Sequence, residues 1–231
     1  MSSLLLLNGS PRGERSNSMK MLSRVLEGWE RAAGQPPEVL HLARPADFAR
    51  AVEAFADADV VLLGMPLYTD AMPGIVKFYI EAIGKRAKAL PSTTMKPALG
   101  FLVQCGFPEA LHIRYVERYL AKVARRLGSP FAGTIVRGGG GALEDMPEEA
   151  NKKLWQGLRI LGEQLARDGC FSQPELNAVK GIERIPWFAA PLLSIAVKLH
   201  LVEFMWNGQL KKNGVWERRF AAPYGPAFRK L

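Results

Sequence analysis

Five short apolar runs recur between residues 4 and 136, each long enough for a strand but too short for a helix. Their residues are apolar at nearly every position rather than at alternate ones. This pattern is typical of strands that are buried on both faces of a parallel sheet. We therefore predict strands at Leu4–Leu7, Val39–Leu42, Ala58–Met65, Pro97–Gln104 and Phe131–Val136.

Between these runs the apolar residues recur every three or four positions, which predicts amphipathic helices. Five helices follow from this spacing and from the glycines and prolines beside it: Met19–Ala33, Pro45–Ala56, Gly74–Gly84, Leu111–Leu127 and Pro147–Asp168. The strict alternation of strand and helix implies βαβ units. We therefore predict an α/β fold, a doubly wound five-stranded parallel sheet with the strand order 2-1-3-4-5.

The chain changes character after Gly169, and we predict two domains, 1–170 and 171–231. A helix predicted at Pro191–Trp206 carries two opposite apolar stripes: Ile195, Leu199, Val202 and Trp206, then Val197, Leu201 and Phe204. It is too short and too charged for a membrane span of about 20 residues. We expect this helical extension to form an oligomer interface, in a homodimer or homotetramer. Contact with a membrane surface is the alternative.

The charge and the cysteine content exclude several classes of protein. The 231 residues carry a net charge of +9, but residues 209–231 hold six Lys or Arg and one Glu, which accounts for +5. A basic tail without any nucleic-acid-binding motif does not indicate a nucleic-acid partner. Two cysteines supply neither a disulfide framework nor a four-cysteine metal site, and no histidine has metal-ligand spacing. No leader is evident, so we expect a cytoplasmic protein.

The loop after the first predicted strand has the composition of an anion site. The unpaired N–H groups of a helix start favour an anion there. Side-chain donors cluster around them: Ser10, Arg12, Ser16, Asn17 and Ser18. The Walker signature is absent, and Gly9 and Gly13 do not have the spacing of a dinucleotide fingerprint. Many hydroxyl donors around one point suit a terminal monophosphate. A capped helix without a ligand is the alternative.

Two further loops should lie beside the anion site, because ligands of such sheets bind beyond the carboxyl ends of the strands. The loop 66–73 offers Tyr68, a flat aromatic ring, and apolar neighbours. The loop 104–109 offers backbone N–H groups around Gly106 that can approach a ligand closely. Asp70 and His112 are further candidates for contact with a substrate, although both residue types are common on solvated loops. Cys105 is expected to be a buried residue rather than a nucleophile.

These motifs resemble those of the NAD(P)H-dependent FMN reductases and quinone oxidoreductases with a flavodoxin-like fold. The resemblance covers the first 170 residues and rests on Gly9–Arg12 with Ser16–Ser18, on Pro66–Tyr68 and on Pro73-Gly-x-x-Lys77. It implies that the serine-rich loop holds the FMN phosphate. It also implies that Pro66, Leu67 and Tyr68 line the ribityl chain and the ring, and that the pyrimidine edge is approached by Gln104, Cys105, Gly106 and Phe107.

The resemblance implies an oxidoreductase in which the flavin carries the chemistry, with Tyr68 as a positioning residue. NADH or NADPH would donate hydride, and a quinone, a free flavin or a similar small molecule would accept electrons in a ping-pong order. The acceptor and the choice of nicotinamide stay open. The alternative is an FMN-binding or interaction protein without turnover. Three related classes are disfavoured. The sequence lacks the cysteine cluster of an iron–sulfur flavoprotein, and its positive net charge does not fit an acidic electron carrier. A receiver domain would need acidic residues at the positions of Asn8 and Met65.

Overall fold

Five parallel strands form the centre of the structure, a computed structural model that describes residues 3–89, 96–144, 146–198, 204–222 and 225. The strands lie in the order β2-β1-β3-β4-β5, and every neighbouring pair is parallel. Their bounds are β1 Leu4–Asn8, β2 Glu38–His41, β3 Val60–Pro66, β4 Ala98–Gln104 and β5 Phe131–Arg137. The predicted fold class and strand order are confirmed.

In the described part of the chain, five helices alternate with these strands and three more follow. The first five are α1 Asn17–Ala33, α2 Pro45–Ala54, α3 Gly74–Ala89, α4 Arg114–Leu127 and α5 Lys152–Asp168. The last three are α6 Gln173–Lys180, α7 Ala189–Lys198 and α8 Phe204–Lys212. Short 3-10 turns lie at Gly13–Arg15, Ala110–Ile113, Gly140–Glu144, Glu148–Asn151 and Trp216–Arg218.

Several predicted bounds were wrong. The helix predicted to end at Gly84 continues to Ala89, because a glycine lowers helix stability without ending a helix. The residues predicted as the first turns of α4 and α5 form 3-10 turns instead, which is common at helix starts. Pro66 was predicted as a loop residue, but it pairs with Gln104 as the last residue of β3. Helix α6 was not predicted.

The alternating leucines of β1 divide the interior into two layers. Leu5 and Leu7 pack with residues of α2, α3 and α4, whereas Leu4 and Leu6 pack with residues of α1, α5 and α6. Successive side chains of a strand point to opposite faces, so a continuous apolar run supplies both layers. Both faces of the sheet are therefore covered, and its ligand-binding edge is left at the carboxyl ends of the strands.

The chain divides into two compact units, Met1–Arg184 and Ile185–Leu231. The first contains the sheet and α1 to α6; the second contains α7 and α8. The helix predicted at Pro191–Trp206 falls partly outside the described residues, since 199–203 lie between α7 and α8. The oligomer interface and the domain division after residue 170 stay predictions. Within the described part of the chain, no helix is both long and apolar enough to cross a membrane.

Candidate functional site

A cavity of about 170 Å³ lies at the carboxyl ends of the strands. It is next to the point where the order of the strands reverses: the chain leaves β1 toward one face of the sheet and leaves β3, the neighbouring strand, toward the other. It is lined by Ser10, Arg12, Ser16, Asn17, Pro66, Leu67, Tyr68, Gln104, Cys105, Gly106 and Gly141. The structure thus brings the three predicted loops together. Two predicted residues, Ser18 and Phe107, lie beside the cavity rather than in its lining, and Gly141 is an addition.

The loop after β1 is organised by the buried side chain of Asn8. Its Oδ1 accepts a hydrogen bond from the Ser10 N–H at 3.1 Å, and its Nδ2 donates to the Gly13 carbonyl at 2.8 Å. Within this loop Gly9 has no room for a side chain, because an added β-carbon would lie 2.4 Å from Cγ2 of Val76. The conformation of the loop is therefore fixed by buried residues on its inner side, and its outer side faces the cavity.

The predicted donors of this loop divide into two groups. Ser16 caps α1: its Oγ accepts from the Met19 N–H at 3.1 Å and donates to the Gly13 carbonyl at 2.7 Å. The buried Oγ of Ser18 accepts from Nε2 of Gln104 at 3.4 Å. Ser10 and Arg12 line the cavity at the start of α1, where the helix dipole favours an anion. The sequence could not reveal which hydroxyls the fold itself engages.

Asn17 has a buried polar atom that a ligand could satisfy. Its Nδ2 donates to the Gly140 carbonyl at 2.9 Å, which directs Oδ1 the other way. That oxygen is buried and has no hydrogen-bond partner among the described residues. A buried acceptor without a partner costs about 1–3 kcal/mol. Because Asn17 lines the cavity, a ligand with a hydroxyl or N–H group at this point would satisfy it.

The second loop holds an aromatic ring at the cavity edge. Tyr68 and Ala71 exchange two backbone hydrogen bonds of 2.9 and 3.0 Å, which closes a tight turn. The two residues inside it, Thr69 and Asp70, have left-handed φ angles of 48° and 60°. Such angles are strained for residues other than glycine and are enriched at functional sites. The turn leaves the Tyr68 side chain 46% exposed above the buried Leu67.

The third loop presents backbone rather than reactive side chains. Gln104 and Cys105 are buried, and burial raises the pKa of the Cys105 thiol, which keeps it protonated and argues against a nucleophile. Gly106 lines the cavity between them and Phe107. Phe107 instead stacks on His112, with ring centroids 4.5 Å apart. The His112 ring lies 3.9 Å from the Asp70 carboxylate, so these two candidates meet at the mouth of the site.

A fourth loop, the glycine run after β5, completes the cavity. The Gly139 N–H donates to the Phe107 carbonyl at 2.6 Å, and the Gly140 N–H donates to the Cys105 carbonyl at 2.7 Å. A β-carbon at Gly140 would lie 2.2 Å from Oε1 of Gln104, so a larger residue there would displace the Gln104 amide. This loop was not predicted as part of the site. Four consecutive glycines were the signal that could have placed it in the site.

The cavity is suited to an elongated ligand with an anionic end and a planar ring. Helix α1 and Arg12 form the anion end, whereas Pro66, Leu67 and Tyr68 form an apolar side. No carboxylate is among its lining residues, so nothing there repels negative charge. The described residues contain no group of three or more His, Cys, Asp or Glu side chains that could bind a metal. FMN carries a phosphate, ribityl hydroxyls and a planar ring, which are the kinds of group that these residues could contact.

Among the described residues, larger cavities also lie away from this edge. One, of about 270 Å³, is lined by residues at the starts of β1 and β2, and another, of about 490 Å³, is lined by α3 and α4. Neither adjoins the carboxyl ends of the strands, where parallel sheets of this kind bind ligands. Size alone therefore does not identify the site.

Solved structures with the same fold include flavin enzymes of low sequence identity. An FMN-dependent NADH-azoreductase from Bacillus anthracis str. Ames Ancestor, solved with FMN, is 14% identical to this chain with a TM-score of 0.55. The match covers 72% of this chain and 100% of the azoreductase chain. An NAD(P)H:quinone oxidoreductase from Methanothermobacter marburgensis is 19% identical with a TM-score of 0.56, covering 71% of this chain and 96% of its own. An NADH:FMN oxidoreductase in its apo form is 16% identical with a TM-score of 0.55, covering 80% and 97%.

The sequence comparisons place the chain more broadly. A search of curated proteins gives no match. The family model described as the flavodoxin-like fold matches residues 2–158, which is well over half of the chain. This agrees with the strand order and with the site at the carboxyl ends of β1, β3 and β4. The chain therefore belongs to the flavodoxin-like fold family.

Proposed function

We propose that this protein is an FMN-dependent oxidoreductase that takes hydride from NADH or NADPH and passes electrons to a small acceptor. The observation that carries the proposal is the cavity itself, with an anion end, an aromatic edge and the orphaned Oδ1 of Asn17. The solved structures described above include enzymes named for FMN, NAD(P)H and quinone, and their likeness in fold supports the same class. When bound, FMN would supply the hydride acceptor and donor.

The chain's own residues would anchor the phosphate end without reacting. The N–H groups at the start of α1 and the guanidinium of Arg12 attract a phosphate, and the Ser10 hydroxyl is a further donor. Asn17 Oδ1 would accept a hydrogen bond from a ribityl hydroxyl, because a phosphate dianion has no proton to donate. Ser16 would act mainly through the helix start that it caps.

The other end of the cavity would orient the ring. Pro66 and Leu67 offer apolar contact, and Tyr68 provides an aromatic face at the opening. The backbone at Gly106 can place N–H groups beside the ring edge, where they stabilise a negative charge that develops during reduction. Because that stabilisation comes from fixed dipoles, it requires no acidic or basic side chain. The exposed Tyr68 and Phe107 and the half-buried His112 would surround the face open to nicotinamide and acceptor.

We infer a ping-pong order, with a quinone, a free flavin or an azo compound as the second substrate. The nicotinamide and the acceptor would both stack on the ring face beside Tyr68, so the nicotinamide would leave before the acceptor enters. The experiment is to titrate the purified protein with FMN and then to vary NADPH or NADH against a quinone. Parallel double-reciprocal lines support the proposal. Intersecting lines would contradict the ping-pong order, and the absence of both FMN binding and turnover would contradict the function.

A further inference from the structure

The orientation of the Asn8 amide is fixed by two backbone groups. Its Oδ1 faces the Ser10 N–H, which can only donate, and its Nδ2 faces the Gly13 carbonyl, which can only accept. Turning the amide over would set donor against donor and acceptor against acceptor in a buried site. The side chain that lies under the anion-binding loop therefore has one allowed orientation.

This orientation determines which ring nitrogen of a buried histidine carries the proton. His41, the last residue of β2, pairs with Asn8 in the sheet and is 6% exposed. Its Nδ1 lies 3.1 Å from Nδ2 of Asn8. The same Nδ2 also lies 3.4 Å from Oγ of Ser16, a longer contact. Because an N–H on Nδ1 would face the Asn8 donor at 3.1 Å, Nδ1 carries the lone pair, and the ring proton belongs on Nε2.

We propose that His41 is a positioning residue for FMN binding, whose neutral Nε2–H ring holds Asn8, and through Asn8 the phosphate-binding loop from Ser10 to Gly13. This role rests on the proposed function. The contact is not a ligand contact, because His41 does not line the cavity. It acts by keeping the Asn8 amide directed at the Gly13 carbonyl, the same carbonyl that receives the Ser16 hydroxyl at the start of α1.

An N–H on Nδ1 would oppose this arrangement, because it would point at the Asn8 donor. Charged groups lie close to His41: Glu14 Oε1 is 3.7 Å from Nε2, and Asp47 Oδ2 accepts from the His41 backbone N–H at 2.9 Å, whereas Arg44 donates to Glu14 at 2.6 Å. The Arg44 hydrogen bond holds the pKa of Glu14 below its ordinary value, so a carboxylate faces the Nε2 side of the ring, where the proton belongs.

The tautomer is tested on flavin-free protein, which separates it from the proposed function. Long-range ¹H–¹⁵N correlation spectra at about pH 7.5 should show His41 protonated at Nε2 alone. The chain has three histidines, and the signal is assigned by its loss in His41→Asn. A ring protonated at Nδ1 would overturn the proposal, because it cannot accept from Asn8.

The role in binding is tested with two substitutions of opposite design. His41→Asn places an amide oxygen near the position of Nδ1, which keeps an acceptor that does not titrate. His41→Leu removes the acceptor. By flavin fluorescence, His41→Leu should bind FMN about tenfold more weakly at pH 7.5, whereas His41→Asn should retain most of the affinity. Thermal unfolding confirms that both variants are folded.

Rescue by the acceptor-bearing variant is a readout that a purely structural role of the ring would not give. Equal affinities of wild type and His41→Leu, or equal losses of affinity in His41→Asn and His41→Leu, would overturn the proposal. If the wild type binds no FMN at all, the proposed function fails and this role with it.

Discussion

At the scale of single residues, the site separates side chains that the fold already uses from those that await a ligand. Ser16 and Ser18 make hydrogen bonds within the protein, whereas Asn17 Oδ1 is buried without one among the described residues. All three were predicted as phosphate ligands because their residue types and spacing are alike. The sequence cannot distinguish them, since the partners Gln104 and Gly140 come from distant parts of the chain.

The charge at the anion end is tested by Arg12→Ala. We expect FMN affinity to fall about tenfold or more, because charge-assisted hydrogen bonds to phosphate are strong. Riboflavin, which lacks the phosphate, should bind the variant and the wild type alike. Arg15→Ala is the matched control: an exposed arginine of the same loop that does not line the cavity. Equal losses for FMN and riboflavin would show that Arg12 does not contact the phosphate.

Glu183→Gln tests an ion pair that supports the third loop. The Glu183 carboxylate accepts from Arg114 Nε at 2.7 Å, and the Leu111 N–H donates to the Glu183 carbonyl at 3.1 Å. The hydrogen bond from Arg114, followed by that from Lys180, lowers the pKa of Glu183 from 4.5 to about 2. Because the folded pKa is lowered, the pair stabilises the protein above the ordinary value and loses its effect as the pH falls toward about 2.

The carboxylate is 40% exposed, so solvent screens the pair, and we expect the variant to be less stable by only about 0.5–1 kcal/mol at pH 7. Urea unfolding at pH 7, 4 and 3 measures this difference. It should shrink steadily below pH 4.5. A difference that is constant with pH would mean that lost packing, rather than charge, explains it.

At the scale of elements, helices α1 and α5 pack at backbone contact through two glycines. A β-carbon at Gly28 would lie 1.9 Å from the carbonyl oxygen of Arg159, and one at Gly162 would lie 1.9 Å from that of Val25. No side chain could move aside, because the obstructing atoms are backbone. This contact fixes the layer that covers one face of the sheet and holds α1, whose start forms the anion end of the site.

Gly28→Ala and Gly162→Ala test this contact. Each should destabilise the protein by about 3 kcal/mol, because the helices must separate to admit a methyl group. Gly84→Ala, in the interior of α3, is the control: its β-carbon would meet Leu127 at an ordinary 3.9 Å. That variant should gain up to about 1 kcal/mol from helix propensity. Similar losses at all three positions in chemical denaturation would contradict the packing argument.

The elements were predictable from the sequence where burial follows a local period. Strands that are buried on both faces have continuous apolar runs, and the helices α1 to α5, which are buried on one face, have apolar residues every three or four positions. Both patterns can be recognised along the chain. Helix α6 was missed because its packing depends on partners distant in sequence: the Phe171 N–H beside it donates to Ala132 of β5, and Val179 joins the core beneath α5. A short helix of this kind carries little periodicity of its own.

At the scale of the molecule, the location of the site was predicted from the order of the strands in the sheet. Once the strand order was predicted, the loops after β1, β3 and β4 had to meet, and the structure places ten predicted residues around one cavity. The fourth loop was not included, because glycines present no functional group and Gly141 contributes only backbone. The mouth of the site also depends on tertiary contact, since His112 reaches Asp70 across two loops.

The central claim is that this cavity binds FMN where a nicotinamide can reduce it. The most direct measurement is anaerobic mixing of the FMN-loaded protein with NADH and, separately, with NADPH, while the absorbance of oxidised flavin is followed. We predict rapid bleaching by at least one nicotinamide, followed by recovery of the oxidised spectrum when a quinone is added. FMN that stays oxidised with both nicotinamides, or a protein that binds no FMN, would contradict the account.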